Sequence, residues 1–252
     1  MHKNKKQKVA VVTGSSKGIG KAIAIRLARD DYYVYVTSFS DEVGGKNTVR
    51  EIEKTGGKAS LQELDVTEEQ SVLRLMKLVG KEFGYLDVLI NNAERDIVKT
   101  IEDSTFEEWK LAIDTKLHGA WLSTKYAIPL LKKSKNANII MISSNADERP
   151  AEDILSYATA TAALTSFTKS LAIHLPKYGI RVNAVMPGQV RTDNWGDSKN
   201  NDELWKKFAE ENPFKRVATV EDIADATILL INDPHKFLNG NFLFVNGGSH
   251  LK

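Results

Sequence analysis

Residues 9–20, Val-Ala-Val-Val-Thr-Gly-Ser-Ser-Lys-Gly-Ile-Gly, run four apolar residues into a glycine-rich turn that opens an amphipathic segment. A strand, a glycine turn and a helix in that order seat a pyrophosphate. Glycine lets the backbone turn tightly and approach a ligand closely. The first N–H groups of a helix beginning near Gly18 then face anionic oxygens, helped by the helix dipole. The spacing Gly14, Gly18, Gly20 differs from the commoner G-x-G-x-x-G pattern. Taken alone, it reads equally well as an ordinary strand-to-helix connection. The remaining chain decides between the two.

Further apolar or β-branched runs follow at 33–37, 58–64, 86–91, 138–143, 180–186 and 241–245, after a first at 9–13. Helical patterns separate them at 18–29, 68–83, 105–125, 155–174 and 220–231. This alternation predicts βαβ units and a parallel sheet. Continuous apolar strands such as VAVV and LDVLI predict a sheet covered by helices on both faces. The expected fold is α/β, one doubly wound Rossmann-type domain over residues 1–252 with about seven parallel strands. The polar stretch Thr192–Asp202 reads as a loop, within a substrate lid around 191–216.

With 252 residues, 42% hydrophobic and 27% charged, the composition is that of a globular domain. A net charge of +2 gives no bias toward nucleic acid or membrane. The basic start MHKNKKQK precedes too short an apolar run for an export signal, which needs about 7–15 residues. Cytoplasm is the expected compartment. No cysteine is present, which excludes disulfides and thiolate chemistry, and no metal-ligand set is read.

Gly14, Gly18 and Gly20, then Asp65, Asn91-Asn92-Ala93, Ser144, Tyr157 and Pro187-Gly188 stand in the order and spacing of one family. Across essentially its whole length, to Val245-Asn246-Gly247-Gly248, the chain resembles the short-chain dehydrogenases/reductases. The resemblance implies hydride transfer between a nicotinamide cofactor and a small carbonyl or alcohol, in a homodimer or homotetramer. The apolar faces of 105–125 and 155–174 are the candidate interfaces. Cofactor contacts are implied for Gly14, Ser16, Lys17, Gly18, Ile19 and Gly20 around the first turn. Further contacts are implied for Ser38, for Asp65 and Val66, for Asn91 and Ala93, and for Pro187, Gly188, Val190 and Thr192. Asp65 also reads as a cap for a helix starting near Thr67. The second strand ends Val36-Thr37-Ser38-Phe39, without the acid that bonds a ribose 2′-hydroxyl. Ser38 there, with Lys17 nearby, favours NADP, with NAD the alternative.

Two of the four catalytic positions depart from the family. Ser144 and Tyr157 keep the expected separation, but Thr161 stands where the family has the lysine of Tyr-x-x-x-Lys. Lys116 stands where it has asparagine. Tyrosine ionises near pH 10, too high for an efficient base at neutrality without a neighbouring cation. Lys116 reaching toward Thr161 would relocate that cation; the bland alternative is loss of catalysis, leaving a nucleotide-binding scaffold or sensor. Glu94, where the family has glycine, reads as a solvated loop carboxylate, with pairing to Lys116 the other option. Trp195, Trp205 and Phe208 either line a pocket or pack the lid.

Overall fold

In the computed structural model, which describes residues 6–251, seven strands form one parallel sheet in the order β3-β2-β1-β4-β5-β6-β7. These are β1 (Lys8–Val12), β2 (Tyr32–Ser38), β3 (Lys58–Glu63), β4 (Val88–Asn91), β5 (Ala137–Ile142), β6 (Ile180–Pro187) and β7 (Phe242–Val245). The basic residues 1–5 lie outside the described part. The helices are α1 (Gly18–Arg29), α2 (Glu42–Lys54), α3 (Glu69–Glu82), α4 (Phe106–Ile113), α5 (Gly119–Leu131), α6 (Leu155–His174), α7 (Asp202–Glu211) and α8 (Val220–Ile231).

Alternate residues of β1 feed two separate cores. Val9 and Val11 pack with α3, α5 and α6, while Ala10 and Val12 pack with α1, α2 and α8. Burial on both faces explains why the inner strands lack polar alternation. β1 is flanked by β2 and β4, so the chain winds outward in both directions from this pair. The crevice above the strand ends at that reversal point is where such sheets bind ligands.

Three expectations change. The pattern at 105–125 is two helices, not one. α4 opens with a Thr105–Glu108 capping box and gives way to a π-helical turn, Asp114–His118, before α5 continues to Leu131. Helix α2 was not expected: Gly44 and Gly45 weaken its helical pattern, and Asp41 caps it by accepting from Gly44 N at 2.9 Å. The stretch 192–202 is not a plain loop. It forms a short 3-10 segment, Asp193–Asn200, broken at Gly196 (φ +52°), and α7 follows.

Candidate active site

The turn after β1 is pinned from β4. Asn92 Nδ2 donates to the carbonyls of Thr13 (3.0 Å) and Gly14 (2.9 Å), and Thr13 Oγ1 accepts from the N–H groups of Asn92 (2.9 Å) and Ala93 (3.0 Å). Gly14 and Gly18 adopt φ of +63° and +58°, which disfavours any side chain. The N-cap of α1, Lys17, makes no capping hydrogen bond from its side chain. The helix therefore presents uncapped N–H groups to a cleft of about 500 Å³. That donor set and glycine cradle fit a dinucleotide pyrophosphate.

Of the expected cofactor residues, Gly14, Ser16, Lys17, Gly18, Ile19, Gly20, Ser38, Asp65, Val66, Ala93 and Thr192 line this cleft. Asn91, Pro187, Gly188 and Val190 are set back from it. Asn91 is buried and its amide donates to Thr124 Oγ1 (3.2 Å) and Met141 Sδ (3.3 Å). Gly188 packs so closely on Asn246 that a Cβ there would lie 2.7 Å from the Asn246 Cβ. Val190 is buried, and its carbonyl accepts from Trp195 Nε1 at 2.9 Å. Asp65 Oδ1 accepts from both Thr67 N (2.9 Å) and Thr67 Oγ1 (2.7 Å). Because α3 begins only at Glu69, Asp65 closes the turn before the helix rather than capping it.

Ser38 Oγ accepts from Asp41 N at 3.0 Å, and the exposed Lys17 lines the same cleft. Asp41 also lines that wall, a carboxylate three residues beyond the strand end. Its Oδ1 is engaged in the α2 cap.

Ser144 follows β5 and Tyr157 lies in the first turn of α6. Ser144 Oγ accepts from Ala146 N at 3.2 Å and stands close enough to the Tyr157 hydroxyl to pull its pKa down slightly. Neither lines the cleft described above. Lys116, at the middle of the π-helical turn, is 3% exposed. Its ammonium lies 4.6 Å from the Tyr157 ring centroid, donates to Glu94 Oε2 at 2.7 Å, and reaches Ile142 O at 3.5 Å. Glu94 is thus no solvated carboxylate, and its other oxygen accepts from Asn194 Nδ2 at 3.1 Å. Thr161 is fully buried, its hydroxyl without a hydrogen-bond partner. Lys116 makes no hydrogen bond to it; the cation sits against the tyrosine ring.

Burial and Glu94 push the Tyr157 hydroxyl above its ordinary pKa, with Asp96 adding to them, and the opposing pull of Lys116 is overcome. Burial works to neutralise the Lys116 ammonium, but Glu94, Tyr157 and Asp96 outweigh it and hold the group charged. The site can therefore offer a protonated tyrosine beside a balanced ion pair.

Trp195, Trp205 and Phe208 pack on one another, with centroids 5.0, 5.7 and 5.6 Å apart, and stay out of the cleft lining. Sequence reasoning placed the Glu94–Lys116 pairing second, gave Asn92 no role of its own within the Asn-Asn-Ala motif, and passed over Asn194. The Asn-Asn pair offered a signal for Asn92: a side chain one residue past a strand end points oppositely to the one before it.

The family model described as enoyl-(acyl carrier protein) reductase matches residues 14–250. Glucose 1-dehydrogenase 2 of Bacillus subtilis (strain 168) is 34% identical over 253 residues, spanning 100% of this chain and 98% of the relative. The 3-oxoacyl-(acyl-carrier-protein) reductase of Staphylococcus aureus (strain Mu50) is 32% identical, spanning 98% of this chain and 100% of the relative. Among solved structures, the promiscuous reductase LugOII, a keto-reducing enzyme of lugdunomycin biosynthesis, superimposes with a TM-score of 0.90 at 31% identity. It covers 98% of this chain and 100% of its own. A point variant of actinorhodin polyketide ketoreductase, crystallised with NADPH, gives 0.92 at 26% identity, with 98% of each chain covered.

Proposed function

We infer that this chain, which belongs to the short-chain dehydrogenase/reductase family and is an NAD(P)-dependent oxidoreductase acting on CH–OH groups, works as an NADPH-dependent carbonyl reductase. The observation that carries this reading is the Ser144–Tyr157 pair with the Lys116 ammonium 4.6 Å from the tyrosine ring. The bound nicotinamide supplies the hydride. Ser144 donates a hydrogen bond to the substrate carbonyl oxygen and orients it. Tyr157 gives its proton to the same oxygen as it gains negative charge, a general-acid role worth about 10²–10⁴ in rate. Reduction needs the protonated tyrosine, which is the form the surroundings favour. Lys116 limits the energy of the tyrosinate left behind by lying against its ring.

Gly14, Ser16, Gly18, Ile19 and Gly20 hold the pyrophosphate, and Asp65 and Val66 the adenine. Ala93 and Thr192 would face the nicotinamide, with Pro187, Gly188 and Val190 set behind them as backing and Asn91 supporting the strand end. NADP is favoured because Lys17 lines the same cleft wall as Ser38, where β2 ends without an acid, whereas Asp41 is turned to its cap. The segment 191–216 acts as lid over a small carbonyl substrate. A homodimer or homotetramer is in keeping with exposed Phe106 and Trp121 on α4 and α5. Among the described residues, no helix is long and apolar enough to cross a membrane.

The test is nucleotide fluorescence on titration of NADPH and NADH, followed by oxidation of the bound nucleotide with a panel of ketones and aldehydes. Turnover with NADPH supports the reading. Binding without turnover makes the chain a scaffold or sensor, and binding of neither nucleotide removes both.

A further inference from the structure

Glu94 belongs to both halves of the site. It follows Ala93, whose N–H donates to Thr13 Oγ1 and whose Cα packs on the Gly14 turn, where a Cβ would lie 3.0 Å away. The Glu94 side chain lines the cleft into which that turn opens. The same carboxylate accepts from the Lys116 ammonium at 2.7 Å, and that ammonium lies 4.6 Å from the Tyr157 ring centroid. One acidic side chain therefore stands between the pyrophosphate cradle and the tyrosine. In a nicotinamide dinucleotide, the part that joins the pyrophosphate to the hydride-bearing ring is a ribose with two adjacent hydroxyls. We propose that Glu94 is a cofactor-binding residue that accepts hydrogen bonds from the hydroxyls of this nicotinamide-side ribose. The proposal rests on the reading of the cleft as the dinucleotide site.

The hydrogen-bond inventory of Glu94 leaves room for such a ligand. An ionised carboxylate has about four acceptor positions. Lys116 takes one on Oε2, and Asn194 Nδ2, from the segment after β6, takes one on Oε1 at 3.1 Å. Each oxygen keeps a free position, and a vicinal diol brings two donors. The Glu94 side chain is 18% exposed, whereas that of Lys116 is 3% exposed. Thr161 is fully buried. Of these three groups near the tyrosine, the carboxylate is the one the cleft reaches. An acid on a ribose hydroxyl is the pairing that dinucleotide folds use on the adenosine side. In this chain that end of β2 carries Ser38, and the acid stands at the other end of the cleft.

The experiment measures calorimetric binding of ADP-ribose and of the terminal methyl ester of ADP, with no hydride transfer involved. Both ligands carry adenosine and a doubly charged pyrophosphate, and only ADP-ribose carries the second ribose. Wild-type protein should bind ADP-ribose about tenfold or more tightly, since a hydrogen bond to a charged group contributes that much. Glu94→Ala should shrink this ratio by about tenfold or more. A merely structural role would weaken both ligands alike and leave the ratio in place. The double variant Glu94→Ala with Lys116→Met removes the ion pair as a unit. It covers the case of a single variant that an unpaired ammonium prevents from folding, and its ratio should fall in the same way. Asn194→Ala spares the carboxylate and should keep the wild-type ratio. Equal affinities in the wild type, a ratio that survives removal of Glu94, or the same fall in N194A overturns the proposal and leaves the nucleotide site standing. If neither ligand nor NADPH binds, the reading of the cleft falls, and the proposal falls with it.

Discussion

Replacing Gly20 with alanine is expected to destabilise the protein although it lies in a helix, where alanine is ordinarily the better residue. In α1 the exchange alone would gain about 0.8–1 kcal/mol from propensity. A Cβ at this position, however, overlaps the Gly14 carbonyl oxygen and comes within 2.5 Å of Asn92 Nδ2. The first is backbone, held by the turn, and the second donates to the Thr13 and Gly14 carbonyls. Overpacking of this kind costs about 1–3 kcal/mol. Displacing Asn92 forfeits two hydrogen bonds at about 1 kcal/mol each. The clash therefore wins, with a net loss of about 2–4 kcal/mol. Gly80→Ala supplies the control. In α3 its Cβ meets only Leu130 Cδ2, at 3.3 Å, the movable end of a side chain. There the propensity gain should survive, and the variant should match or exceed the parent by up to about 1 kcal/mol.

The assay is denaturant unfolding at one protein concentration, because self-association alters apparent stability, with NADPH titration in parallel. Gly20→Ala should also weaken NADPH binding by about tenfold or more, since the Gly14 turn shapes the cleft. A variant within about 0.5 kcal/mol of the parent, with nucleotide affinity unchanged, would refute the claim that the Asn92–Gly14 contact builds the cradle.

Ser38→Asp should reverse nucleotide preference toward NADH, read as the ratio of the two dissociation constants; a parent that already prefers NADH tenfold would contradict the role given to Lys17. Tyr157→Phe should lower reduction by about 10²–10⁴ while leaving the unfolding midpoint within error. Because the Tyr157 pKa is raised, its acid form persists as pH climbs. Reduction should therefore show no falling limb from this group over roughly pH 6–9, whereas oxidation should rise throughout that range. The double change Lys116→Asn with Thr161→Lys restores the family arrangement and should change kcat/KM for reduction and oxidation by the same modest factor at one pH; a rise of several orders of magnitude would show that Lys116 is no substitute.

The strands were legible because a sheet buried on both faces leaves apolar runs that need no partner to be recognised. α1, α6 and α8 have the ends that the pattern predicts. Where reading stopped short, the cause is local. Gly44 and Gly45 hide α2, and the π-helical turn adds a residue to a stretch whose 3.6-residue period was taken as unbroken. The same turn matters to the site, since Lys116 is its buried residue. The Glu94–Lys116 pair spans 22 positions between elements brought together only by the sheet. A lone charge is ordinarily exposed, so no local pattern marks either partner as buried.

The exchange of lysine and threonine has a consequence beyond the position of one charge. A lysine at 161 would share a helix face with Tyr157, one turn along. Lys116 instead approaches the ring, where the aromatic face attracts a cation even when the hydroxyl is protonated. Such contacts contribute about 0.5–2 kcal/mol. Its ammonium is therefore satisfied in the resting state, by the ring and by Glu94 together. Ionising Tyr157 adds a negative charge to a group already balanced, whereas a cation without a carboxylate partner would gain from that ionisation. The arrangement gives the protonated tyrosine a stable environment and the tyrosinate only a partial one. Because both directions share one transition state, that asymmetry shows itself in pH dependence rather than in direction. The tyrosinate from which oxidation starts forms only as pH rises, while the protonated form needed for reduction is present throughout the neutral range.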